Sequence, residues 1–170
     1  ILGPLEVLAG GQAVQITGSR LRALVTRLAL DAPTTVSTGQ LLDAVWPGDA
    51  PAEPLNALQS LISRVRRVLG EPGLIQQLAG GYRLAVDRGA VDVAAFADLL
   101  AAGRRELRDG NPQTARDLLI KGLSLWRGAP LADAGDAGYA VAPSVRLIER
   151  RLDAQADLME AELQLGRGVD

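Results

Sequence analysis

The patterning of these 170 residues shifts near residue 88, from mixed to helical, and that shift limits the fold more than any other feature. Before it, short alternating stretches are mixed with stretches whose apolar residues recur every three or four positions. After it, residues 91–165 read as helical almost throughout, rich in Ala, Leu, Arg and Glu. A strand repeats every two residues and a helix every 3.6, so one uniform architecture cannot hold both patterns. The expectation is an α+β part over residues 1–88 followed by an all-α part over 89–170. The apolar share, 48 %, is enough to give a chain of this length a buried core.

The first part predicts the order strand, strand, helix, helix, helix, hairpin. Ile1–Val7 and Ala13–Ile16 read as strands around Gly10-Gly11. Leu21, Leu24, Val25 and Leu28 form one helical stripe, with Thr17 or Ser19 as its cap and Asp31-Ala32-Pro33 as its end. Thr34–Ser37 reads as a short bridging strand. Ser37 or Thr38 then caps a second helix, with Leu41, Leu42, Val45 and Trp46 inward. Pro54 suits a first helical turn, and Leu55, Leu58, Leu61, Ile62, Val65 and Leu69 give a third helix its core stripe before Gly70. Leu74–Leu78 and Tyr82–Val86 read as a hairpin with Gly80-Gly81 at its tip, Tyr82 being wedged against the third helix.

In the second part Asp92 is expected to cap a helix to about Arg108, with Val93, Phe96, Leu99, Leu100 and Leu107 on one side. Asp109–Pro112 turns into a helix carrying Ala115, Leu118, Leu119, Gly122, Leu123 and Trp126, which makes a helical hairpin. After a loop over 128–138, a long helix runs from Pro143 to Leu165, with Val145, Ile148, Leu152, Met159 and Leu163 as its buried face. The short junction over 87–90 leaves little slack, so the halves are expected to pack together.

Composition excludes much chemistry. With neither Cys nor His there is no disulfide, thiolate nucleophile, imidazole base or usual zinc ligand. No phosphate-binding Gly-x-x-x-x-Gly-Lys-Ser/Thr pattern occurs. Asp133 and Asp136 are spaced like a metal pair, but with no third ligand nearby a polar loop is the better reading. No enzyme, metal or cofactor is expected. Neither a signal peptide nor an apolar run of membrane-spanning length is visible, so a cytoplasmic protein is expected, and Ile1 in place of Met suggests trimming or processing.

The net charge of −2 argues, taken globally, against a nucleic-acid partner. Its distribution argues otherwise. Residues 1–86 hold seven basic and six acidic residues, and residues 87–170 hold 11 and 14. On the third helix three Arg follow Glu53, with no acid before Glu71. At 100° per residue, Leu61, Ile62, Val65 and Leu69 fall within about 60° of Leu58. Asn56, Ser60, Ser63 and Arg67 fall roughly opposite, Arg64 lies near them, and Gln59 and Arg66 flank. Arg, Asn, Gln and Ser are side chains that hold phosphates and read base edges. Two helices followed by such a third match a helix-turn-helix, and the Gly-tipped hairpin supplies a wing, with Arg83 two residues beyond the tip.

These stretches carry a family resemblance. Leu2-Gly3-Pro4-Leu5-Glu6-Val7, Arg20-Leu21-Arg22-Ala23-Leu24, Gln40–Trp46, Pro54–Arg66 and Gly81-Tyr82-Arg83-Leu84 resemble the OmpR-type winged helix of the Streptomyces antibiotic regulatory proteins and their AfsR-like relatives. Val91-Asp92, Phe96, Gly103-Arg104, Gly110-Asn111-Pro112, Leu125–Gly128, Pro130–Asp133 and Leu163–Arg167 resemble that family's tetratricopeptide-like bacterial transcriptional activation domain. The resemblance implies a transcription activator whose third helix enters the major groove of direct-repeat promoter sites and which contacts RNA polymerase. It also implies a homodimer on DNA and control of secondary-metabolite genes. Carried over by position, Arg20 and Arg22 would contact phosphate; Asn56, Gln59, Ser60, Ser63, Arg64 and Arg67 would face the groove; Arg83 would serve the wing. The strand Ile75-Gln76-Gln77-Leu78 lacks the Arg or Thr-Arg common in this family, which leaves the wing less charged. The helical part is expected to be an incomplete version of its domain.

Two other readings compete. A helical protein-interaction scaffold would account for residues 91–165 but not for the polar third helix or the Gly-tipped hairpin. A two-component response regulator shares the winged helix, but its phospho-acceptor domain would precede it.

Overall fold

Residues 1–135 and 137–166 are described by the computed structural model. An irregular segment over 1–6 leads into a ribbon of β1 (Val7–Ala9) and β2 (Gln12–Val14). Next come α1 (Ser19–Leu30), β3 (Val36–Ser37), α2 (Thr38–Val45) and α3 (Pro54–Leu69). The hairpin of β4 (Ile75–Leu78) and β5 (Gly81–Leu84) joins β3 in an antiparallel sheet of order β3-β5-β4. The helical part is α4 (Asp92–Arg108), α5 (Pro112–Leu123) and α6 (Gly138–Gln164). A winged helix-turn-helix is thus followed by an all-α part, as the shift in patterning predicts.

Local chemistry explains most boundaries. Ser37 and Gln40 form a reciprocal capping box that starts α2. Pro54 lies in the first turn of α3, and Gly70, at φ +75°, takes the left-handed conformation that ends it. Leu58, Leu61, Ile62, Val65 and Leu69 are buried in one core with Leu24, Leu41, Ile75 and Tyr82. Leu55, expected in that stripe, is instead 59 % exposed: it lies in the first turn, outside the reach of the core.

Three other expectations are corrected. The first strand is Val7–Ala9 rather than Ile1–Val7, because the preceding main chain bonds to the helical part. Neither Thr17 nor Ser19 caps α1: Gly18 occupies that position and no side chain satisfies the first-turn amides. Asp92 lies one residue inside α4, where its carboxylate accepts from the amides of Val93 (2.9 Å) and Leu2 (2.8 Å).

The hairpin glycines divide their roles. Gly80, at φ +82°, makes the turn, and its carbonyl accepts from the Thr38 amide at 3.0 Å. Gly81 is no tip residue. It is buried in β5, where a Cβ would lie 2.0 Å from the Val36 carbonyl oxygen. The wing is therefore short and tied to the start of α2.

The largest correction concerns α6. It starts at Gly138, ahead of Pro143, and the stripe expected to be buried faces solvent: Val145, Ile148, Leu152, Met159 and Leu163 are all between 46 % and 66 % exposed. The buried positions are Ala140, Leu147, Ala154 and Ala161, seven residues apart. Small side chains at that interval let α6 approach its neighbours closely. Arg104 of α4 pairs with Asp153 and Asp157, and Arg116 of α5 with Glu162.

The halves are joined through main chain as well as side chains. The Leu2 carbonyl accepts from Arg127 N (2.8 Å) and the Ile1 carbonyl from Leu131 N (2.9 Å). At Gly3 a Cβ would sit 3.0 Å from Gly128 N, an approach only glycine permits. Arg27 stands 4.6 Å over the Tyr139 ring, a cation–π contact between α1 and α6.

Candidate nucleic-acid interface

The outer face of α3 is built by subtraction. Its apolar stripe turns inward, and Asn56, Gln59, Ser60, Ser63, Arg64 and Arg67 are all exposed on the remaining surface. The Glu53 carboxylate accepts from the Asn56 side-chain Nδ2 and so orders the start of that surface. Arg66, which flanks it, is committed elsewhere: its Nε (3.1 Å) and Nη2 (2.7 Å) donate to the Ile75 carbonyl, locking α3 to β4.

Beside α3 lies a cleft of about 510 Å³ whose lining includes Gly18, Ser19, Arg20, Trp46, Ser60 and Arg64. It unites the start of α1, the end of α2 and the middle of α3. The Arg20 guanidinium lies 5.6 Å from the centre of the Trp46 ring, which supports it from beneath. The uncapped amides of α1 add donors at the positive end of a helix dipole. Two guanidinium groups, the hydroxyls of Ser19 and Ser60, and free amides at one open cleft suit an anionic oxygen ligand.

Arg83 lies on β5 opposite Gln76, whose side-chain oxygen accepts from its Nε (3.0 Å) and Nη2 (2.8 Å). It is half-buried, with its guanidinium held against the wing surface.

Arg22 departs from the expected set. It points away from the cleft and is clamped by Asp133, whose carboxylate accepts from Nε and from Nη2 (2.8 Å). The hydrogen bond to Arg22, joined by one from the Leu5 amide, holds the Asp133 carboxyl below its usual range, and the same pair raises the Arg22 guanidinium. In the sequence Asp133 stood out as half of a metal-like pair and as the end of the Pro130–Asp133 stretch, with nothing to link it to Arg22. Asp136, its supposed partner, lies outside the described residues. Among those described, no cluster of His, Cys, Asp or Glu could hold a metal ion, and no helix is long and apolar enough to cross a membrane. The Trp46 support and the α1 amides were also missed, since Trp46 read simply as a core residue.

A winged helix with a polar, Arg-bearing third helix, joined to a helical bundle, defines a transcriptional regulator with a DNA-binding domain. Residues 11–84 match the family model described as transcriptional regulatory protein, C terminal, and residues 91–169 match the bacterial transcriptional activator domain. The transcriptional regulator RedD of Streptomyces coelicolor is 37 % identical over 95 % of this chain and 48 % of its own length. The regulatory protein DnrI of Streptomyces peucetius is 35 % identical over 98 % of this chain and 65 % of its own. The solved structure of Mycobacterium tuberculosis EmbR in complex with a low-affinity phosphopeptide superposes with a TM-score of 0.91 at 27 % identity, over 98 % of this chain and 45 % of that one.

The chain thus carries the two domains in tandem over most of its length, and it is similar to AfsR-like transcriptional regulators of the Streptomyces antibiotic regulatory protein family. It spans about half the length of RedD and about two thirds of that of DnrI.

Proposed function

We propose that this chain binds duplex DNA sequence-specifically, with α3 in the major groove and the α1–α3 cleft on the adjoining phosphates. The observation that carries the reading is the convergence of Arg20, Ser60, Arg64 and the uncapped α1 amides beside the exposed face of α3. Asn56, Gln59, Ser63, Arg64 and Arg67 are the base- and phosphate-facing set, and Arg83 contacts the backbone from the wing. Arg22 acts from behind, through Asp133. The units are a winged helix over residues 1–88 and a helical domain over 89–170. In the cell the protein binds direct repeats as a homodimer and activates secondary-metabolite genes by engaging RNA polymerase in the cytoplasm.

Salt dependence separates this reading from a helical scaffold. If Arg20, Arg64, Arg67 and Arg83 each neutralise one phosphate, the slope of log affinity against log salt is roughly −3 to −4. Fluorescence anisotropy on a labelled duplex measures it. Absence of binding at low salt would leave the scaffold, for which the exposed stripe on α6 is the supporting observation.

A further inference from the structure

Arg22 and Asp133 lie 111 residues apart, in different halves of the molecule. Beyond its two bonds to Asp133, the Arg22 guanidinium donates to the carbonyls of Ile16 and Leu5, each at 3.3 Å. Asp133 also accepts from the Leu5 amide. One ion pair therefore gathers the N-terminal segment, the approach to α1 and the loop of the helical part. Ile16 stands just before Thr17 and Gly18, which form one wall of the cleft, and the Arg22 amide donates to the Gly18 carbonyl at 3.1 Å.

The loop that presents Asp133 is itself fixed. Leu131 adopts a left-handed conformation (φ +56°), which costs a non-glycine residue about 1 kcal/mol and is held only where its surroundings impose it. Its amide donates to the Ile1 carbonyl and its own carbonyl accepts from Ala134, both at 2.9 Å. Asp133 is thus delivered to Arg22 by a shaped turn, with only 18 % of its side chain exposed.

We infer that Asp133 is a positioning residue for the DNA interface: through Arg22 it holds the first turn of α1 where its amides and Arg20 meet phosphate. The helical part thereby sets DNA affinity through a residue that never touches DNA. This rests on the cleft being the phosphate site. The rival arrangement, in which Asp133 merely withholds Arg22 from DNA, has the opposite consequence.

The test uses the 170-residue chain, with Asp133→Asn, Arg20→Ala and the double variant, on a duplex enriched from a random pool by the wild-type chain. Asp133→Asn keeps the shape and removes the charge. It is expected to weaken binding about tenfold with little change in salt slope, because Arg20 keeps its charge near the phosphate but loses its alignment. Hydrogen exchange at the Arg22 amide, which donates to the Gly18 carbonyl, should quicken. Its effect on affinity should be non-additive with that of Arg20→Ala, since both act through the same turn; a purely structural role gives additivity. Arg22→Lys keeps the charge but loses the fork, and should behave alike even if Asp133→Asn folds poorly. Unchanged affinity, additive effects, or tighter binding with a steeper slope would overturn the inference while leaving DNA binding intact. Failure of the wild-type chain to enrich or bind any duplex would overturn both.

Discussion

Replacing Arg64 and Arg67 together with Ala is expected to lower affinity for a specific duplex by roughly a hundredfold or more, at about 1–3 kcal/mol for each base- or phosphate-directed Arg. The fold should persist. Both residues are exposed, and neither forms an ion pair or side-chain hydrogen bond among the described residues. Both point away from the Leu58–Ile62–Val65 stripe that fixes α3 in the core. A gel shift reads the affinity, and a circular dichroism melt within a few degrees of wild type shows that the helix survives. A double variant that shifts duplex DNA as wild type does would remove α3 from the interface. Arg66 provides the contrast. Its fork on the Ile75 carbonyl is structural, so Arg66→Ala should lower melting temperature and loosen the wing before it changes any base preference.

The second large effect is on stability. Gly81→Ala places a Cβ 2.0 Å from the Val36 carbonyl oxygen and 3.0 Å from the Ser37 Cα, both main-chain atoms that cannot swing aside. The pairs Val36–Tyr82 and Ser37–Gly81 that bind β3 to β5 must then separate. The expected cost is about 3 kcal/mol or more, at the upper end for overpacking, and a fall in melting temperature of roughly 10 °C for a chain of this size. Gly80→Ala meets no neighbouring atom within 4 Å and suffers only from its positive φ, at about 1 kcal/mol. Scanning calorimetry on the two variants should rank them clearly. Equal melting temperatures would mean that β3 is not held against β5 as described.

The winged helix was largely legible in the sequence because its signals are local. Pro54 and Gly70 punctuate α3, Ser37 or Thr38 announces α2, and the period-3.6 stripe of α3 tells its inside from its outside. Spacing alone therefore places Asn56, Ser60, Ser63, Arg64 and Arg67 outward, while Gln59 flanks as Arg66 does and joins the set only through the family resemblance. What escaped depends on contacts distant in sequence. Arg22 and Arg20 are two residues apart and indistinguishable as charges. Only the arrival of Asp133 from the helical part draws one toward the junction of the two halves and leaves the other over Trp46. Gly81 reads as a turn residue beside Gly80 until β3 closes on it. On α6 the large apolar residues outweigh the alanines in any hydrophobic reading, yet the alanines form the packed seam, because close approach selects for small size. The global charge of −2 misled for a related reason: the acids lie mainly in the helical part, where Asp133, Asp153, Asp157 and Glu162 are paired with Arg. The α3 face keeps its cations, and a local cluster can grip phosphates whatever the total.

Selection of the 170-residue chain on a pool of random duplex DNA, followed by footprinting of the recovered sequences, tests the central claim most directly. The expected result is enrichment of a defined motif, with protection that includes the major groove and is lost for the Arg64→Ala, Arg67→Ala variant. Recovery of a pool indistinguishable from the input, or a footprint unchanged in that variant, would contradict the assignment of α3 as the recognition helix.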